Sequence, residues 1–202
     1  MPTILIRALA LVSLALLTAC GSAEEVGAPA DAIARAAYTS SAPPSLTLVT
    51  VIRNKGDEGA HTGLIINGSQ QVVFDPAGTF NHSRAMVERG DVLYGLSPAY
   101  RRAYIDYHTR ESFRTVEQTV QVPPAVAEQA LRLAAAHGPA SKATCATSTA
   151  SILRQLPGFE SVPSSWFPNA LMRGFAQVPG VVTTEHRDDD PDDNSNKVAP
   201  VL

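Results

Sequence analysis

Hydrophobic and polar positions along the middle of this chain alternate between two periods, and each switch marks an element. Residues 46–52 form a β-branched, apolar run, the pattern of a strand. Residues 61–66 and 70–75 predict two further strands around Asn67-Gly68, a strong short-range hairpin signal. Residues 91–94 are a short strand candidate ending at Gly95. Ser97-Pro98 opens a predicted helix to about Thr109, with Ser97 as N-cap and Pro98 at the first helical position. Its Tyr100, Tyr104 and Tyr107 share one face by helical spacing and read as core packing. Residues 115–122 alternate Val116, Val120 and Val122 against Glu117, Thr119 and Gln121, a half-buried strand. Pro123-Pro124 ends it and starts a helix through Ala136, stopped by His137-Gly138. Helices over residues 145–156 and 169–175 complete an α+β inventory, an antiparallel sheet packed with helices.

The two ends read differently. At the N-terminus Arg7 precedes an apolar run at residues 8–19, shorter than the ~20 residues a membrane-spanning helix needs. That is the pattern of a secretory signal. Leu17-Thr18-Ala19-Cys20 resembles the bacterial lipobox, which implies that Cys20 is lipidated and becomes the mature N-terminus. Gly21, rather than Asp, then implies passage to the outer membrane, facing the periplasm. Residues 20–45, rich in Ala, Ser, Pro and Gly, read as a flexible tether with a short helix over residues 31–38. The folded domain is expected over residues 46–182, followed by an acidic, disordered tail at 183–202. In that tail Asp188, Asp190, Asp192 and Asn194 alternate as in a calcium loop, but the turn glycine and closing glutamate are missing.

Composition narrows the chemistry. Lys+Arg 16 against Asp+Glu 19 leaves no large basic surface for nucleic acid, and 45% hydrophobic residues exclude a wholly disordered chain. Two cysteines are too few for a disulfide scaffold or a Cys-rich zinc site. With Cys20 lipidated, Cys145 is the one thiol of the mature chain and has no intramolecular partner. It is then either a buried small hydrophobe or a reactive group.

The residues around Cys145 favour reactivity. Thr144 is a candidate N-cap, so Cys145 falls in the first turn of a helix whose N–H groups and dipole favour a thiolate. The same groups suit an oxyanion. A nucleophilic thiol needs an imidazole. Of five histidines, His61 stands apart: it opens an apolar strand in Ala60-His61-Thr62-Gly63-Leu64-Ile65-Ile66, with small neighbours leaving space beside it. A satisfied structural histidine is the competing reading.

His61-Thr62-Gly63-Leu64-Ile65-Ile66, a hairpin carrying Asp75, and a later Thr144-Cys145 helix resemble the circularly permuted papain-like hydrolases. That group includes lecithin–retinol acyltransferase-like proteins and permuted relatives of NlpC-type cell-wall peptidases. The resemblance implies Cys145 as nucleophile and His61 as base, in a thiol hydrolase or acyltransferase acting on peptidoglycan peptides or lipid acyl groups. Asp75 is the candidate orienting acid. A two-residue Asn67-Gly68 turn would send it to the far face of the sheet from His61. A three-residue loop, Ile66-Asn67-Gly68 with Gly68 left-handed, would bring it diagonally onto the same face. The Arg89-Gly90-Asp91 tripeptide reads as a turn before a strand. No phosphate loop, HExxH or Ser-elbow pattern is present, and no cofactor or metal is implied. The rival expectation is a non-catalytic envelope lipoprotein that uses the same fold for binding.

Overall fold

The computed structural model describes residues 27–80 and 86–194. In chain order the elements are α1 (Ala30–Ala36), β1 (Ser45–Arg53), β2 (Gly59–Asn67), β3 (Gln71–Phe74), β4 (Val87–Arg89), β5 (Val92–Tyr94), α2 (Pro98–His108), β6 (Phe113–Gln121), α3 (Pro124–His137), α4 (Cys145–Leu153), α5 (Pro168–Phe175) and β7 (Val182–His186). The strands form one seven-stranded antiparallel sheet in the order β4-β5-β3-β2-β1-β6-β7. The fold is α+β. No described helix is long and apolar enough to cross a membrane.

β1 sits centrally because its continuous apolar run suits burial on both faces. One face gathers Leu46, Leu48, Leu64, Ile66, Val72 and Phe74 under α3, α4 and α5. The other gathers Val49, Ile65, Val73 and Leu93 under the tyrosine stripe of α2. Tyr100 and Tyr104 are buried there, as the stripe predicts. Ser97 caps α2, its hydroxyl accepting the Tyr100 N–H at 3.4 Å.

Two boundaries differ from expectation. From residue 27 onward the expected tether is held against the sheet. Ala28 N–H donates to the Glu88 carbonyl at 2.7 Å, Gln71 N–H to the Tyr38 carbonyl at 2.7 Å, and Asn67 Nδ2 to the Ala42 and Pro43 carbonyls at 3.1 and 2.9 Å. Main-chain bonding of this kind leaves no apolar periodicity to read. At the other end the chain does not leave the domain at residue 182. β7 pairs with β6 from Thr119↔Val182 to Thr115↔His186, and residues 188–194 then lie across the end of α2. Their anchor is Arg110, only 2% exposed, whose Nε donates to Asn194 Oδ1 at 2.7 Å and whose Nη1 donates to Asp190 Oδ2 at 3.4 Å. An acidic run that looks solvated finds its counter-charge eighty residues earlier in the chain. The signal segment, Cys20 and residues 195–202 lie outside the described residues.

Candidate active site

β2 outruns its neighbour. β3 ends at Phe74, opposite Leu64, so the first residues of β2 pair only with β1. The site is built in the space this leaves. The hairpin pairs Asn67 with Gln71 around a three-residue loop, Gly68-Ser69-Gln70. This is two residues later than the loop weighed from sequence, and Gly68 is not left-handed. Asn67 is kept in the strand by its bonds to Ala42 and Pro43, while Glu128 accepts the Ser69 N–H and hydroxyl. A shift of two preserves parity, so Asp75 still falls diagonally beside His61 on one face. His61 Nε2 meets Asp75 Oδ1 at 2.7 Å.

Cys145 begins α4 on the opposite face and reaches the same gap. Its sulfur lies within reach of the Thr62 N–H and of the Ala146 N–H of its own helix, both of which favour the thiolate. The His61 ring, whose Nε2 is on Asp75, also stands close enough to the sulfur to favour the thiolate. Thr144 stands at the N-cap but does not cap: its hydroxyl donates back to the Ser141 carbonyl at 2.6 Å. The first N–H groups of α4 therefore stay available to the sulfur and to an oxyanion. Ala143, just before, holds a left-handed φ of 65°, local strain of the kind that tight functional turns store. The structure thus brings Cys145, His61 and Asp75 into one connected chain.

Charge follows from this geometry. Burial pushes His61 down, but the negative charge and hydrogen bond of Asp75, with help from Cys145, push it up to about 10. Burial pushes Asp75 up, and the charge and bond of His61 outweigh it, holding the carboxyl at about 2. Burial likewise raises the Cys145 thiol, but the His61 bond and charge and the two N–H donors bring it below its ordinary value. Each shift favours the ionised form, so thiolate, imidazolium and carboxylate stabilise one another in a row.

Two residues that sequence reading did not assign to the site complete it. Tyr104, fully buried, donates its hydroxyl to Asp75 Oδ1 at 2.7 Å. His108, one turn later, stacks on His61 at 5.5 Å between ring centroids and 11° between planes. Its Nδ1–H donates to the Tyr104 carbonyl at 2.8 Å. Burial, partly opposed by Asp75 and reinforced by His61, holds His108 down at about 4, so it is neutral beside the charged ring. The signal for both was the four-residue spacing, which puts them on one helix face. The glycine of His61-Thr62-Gly63 also gains a reason: a Cβ there would stand 2.5 Å from the Tyr104 hydroxyl and 3.4 Å from Asp75 Oδ1. Gly78 does the same from below, since a side chain there would collide with the Asp75 carboxylate.

His61, Asp75 and His108 offer ligand atoms within 4.8 Å of one another. The two imidazoles are stacked in parallel planes, however, so their lone pairs do not converge on one ion, and Asp75 Oδ1 already accepts two bonds. The arrangement suits proton transfer better than metal binding. A second trio, Asp106, Asp188 and Asp190, surrounds Arg110, which supplies its counter-charge. No protein-family model, curated protein or solved structure matches the chain.

Proposed function

We propose that this chain is a cysteine hydrolase or acyltransferase of the cell envelope, with a permuted papain-like site acting on an amide or ester carbonyl. The observation that carries the reading is the row from Cys145 through His61 to Asp75, anchored at 2.7 Å. Its chain order, histidine strand before cysteine helix, agrees with the permuted arrangement.

The chemistry follows from the groups present. The Cys145 thiolate attacks the carbonyl carbon, and the carbonyl electron pair moves onto oxygen. The N–H groups at the start of α4, which the Thr144 side chain leaves uncapped, stabilise that oxyanion. As it collapses, the bond to the leaving amine or alkoxide breaks, and His61 gives the leaving group its proton. Water or another acceptor then attacks the thioester and returns a proton to His61. Asp75, with Tyr104 behind it, keeps the imidazole oriented throughout. A cleft of about 560 Å³ opens beside Gly59, two residues before His61, with Phe167 and Arg173 in its lining. Peptidoglycan peptides and lipid acyl groups are the two substrate classes consistent with an envelope location.

Iodoacetamide alkylation against pH tests the site. Cys145 is expected to titrate well below the ~8.5 of a free thiol. A titration near that value, with fast labelling only after denaturation, would leave the non-catalytic lipoprotein as the better reading. The anchor is tested separately by metabolic labelling with a fatty-acid analogue. Wild type is expected to be labelled and Cys20→Ala not; equal labelling of the two would remove the membrane partner from the proposal.

A further inference from the structure

The Arg89-Gly90-Asp91 turn between β4 and β5 takes no part in the chemistry above, yet the Asp91 side chain is buried. A carboxylate out of water needs donors. Asp91 Oδ2 accepts the Ala77 N–H at 3.1 Å and the Ala140 N–H at 2.7 Å. Its carbonyl oxygen accepts the Asp75 N–H at 2.8 Å. Ala77 lies in the turn just after Asp75, where its own φ is left-handed at 56°. Ala140 lies in the loop that leads from α3 to Cys145. Gly90 packs on that same loop with a φ of 57°, and a Cβ on it would stand 3.3 Å from Gly138 Cα. The segments that deliver the acid and the nucleophile therefore meet on one side chain.

We infer that Asp91 is a positioning residue for the site. It ties the Asp75 turn to the loop that launches α4, and so keeps the His61–Asp75 pair in register with the Cys145 thiol. The inference rests on the proposed function. A strand-starting turn with a structural role alone would not set the ionisation of a thiol in another element.

The test reads alkylation rate against pH on the full chain, with thermal melts to establish folding. Asp91→Ala removes the oxygen that accepts both N–H groups and is expected to raise the Cys145 pKa by ~1 unit, a ~tenfold loss of thiolate at about pH 6. Asp91→Asn, whose amide oxygen accepts the same two N–H groups, is expected to stay within ~threefold of wild type. Should Asp91→Ala fail to fold, Gly90→Ala carries the test. It pushes the same turn off Gly138 with the carboxylate in place and is expected to shift the thiol in the same direction. Folded variants with the wild-type profile would overturn the inference while leaving the proposed function intact. Equal losses in Asp91→Ala and Asp91→Asn would overturn the acceptor role. A wild-type thiol near ~8.5 would overturn the proposed function, and this inference with it.

Discussion

His61→Ala is expected to raise the Cys145 thiol pKa by ~2 units and to slow its alkylation at about pH 6 by ~tenfold. Burial alone would make this thiol reluctant to ionise, and the imidazolium reverses that by donating a hydrogen bond and a positive charge. In the variant only the Thr62 and Ala146 N–H groups remain to stabilise the thiolate. Thiolate at about pH 6 then falls ~100-fold, but a more basic thiolate is a better nucleophile, and a Brønsted slope of ~0.4–0.5 recovers most of one decade. On the proposed function, acyl transfer is expected to fall further, by ~10²–10⁴, because the general acid and base would be gone as well. Alkylation rates measured across pH on both proteins check the prediction. A variant profile superimposable on wild type would remove His61 from the chemistry.

The ionisations fix the window for that comparison. Asp75, depressed to about 2, stabilises the folded state fully above its free value of ~3.9 and loses this as pH falls through about 2. His61, raised to about 10, contributes fully below ~6.5 and loses this as pH rises through about 10. Between these limits the folded chain holds an extra proton on His61, and the lowered Cys145 thiol works in the opposite sense. His108 sets the acid side. Below ~6.5 the unfolded chain takes a proton that the folded chain refuses until about 4, so stability drops across that interval. The alkylation difference is therefore best read from just above pH 6 to about 9.

What could be read in advance was what local pattern controls. The central strands, the α2 cap and the Cys145 helix each carry their signal within a few residues. So does the strand position of His61, where a polar ring opens an apolar run. Asp75 was legible only to parity. The hairpin signal allowed an odd or even loop, and the choice is made by Asn67 bonding to Ala42 and Pro43 and by Glu128 bonding to Ser69. Tyr104 and His108 were visible as an apolar-looking stripe and a helix end. Their contact with Asp75 and His61 depends on α2 packing across the sheet, which no local window encodes. Asp91 was hidden in the same way: a turn residue by sequence, it is buried because two distant loops close over it. β4 and β7 are short or polar and pair only because a sheet edge is waiting for them.

The acidic C-terminal segment gives the largest expected effect on stability. Deleting residues 187–202 is expected to lower the thermal midpoint by ~5–10 °C, from a loss of ~2–3 kcal/mol at ~2–4 °C per kcal/mol for a chain of this size. The segment supplies Arg110 with Asn194 and Asp190, takes the Ser112 N–H on Asp192 Oδ1 at 3.1 Å, and returns the Glu111 N–H to the Asp190 carbonyl at 2.9 Å. Asn194 Nδ2 also donates to the Tyr107 carbonyl at 3.0 Å. Hydrogen bonds to a charged group contribute ~1.5–3 kcal/mol each when made in the interior. Stripping the segment rehydrates the guanidinium, however, so the cost stays below the ~3–5 kcal/mol of leaving a charge buried and unpaired. Cutting instead at residue 182 should cost more. It also removes β7, exposes the edge of β6 and takes His186 from the buried Glu117, which it meets at 2.9 Å. Melts of the two truncations beside the full chain check the order. A midpoint unchanged by the shorter deletion would mean that residues 187–202 are solvated in solution and that Arg110 is satisfied by Asp106 and the Thr109 carbonyl alone.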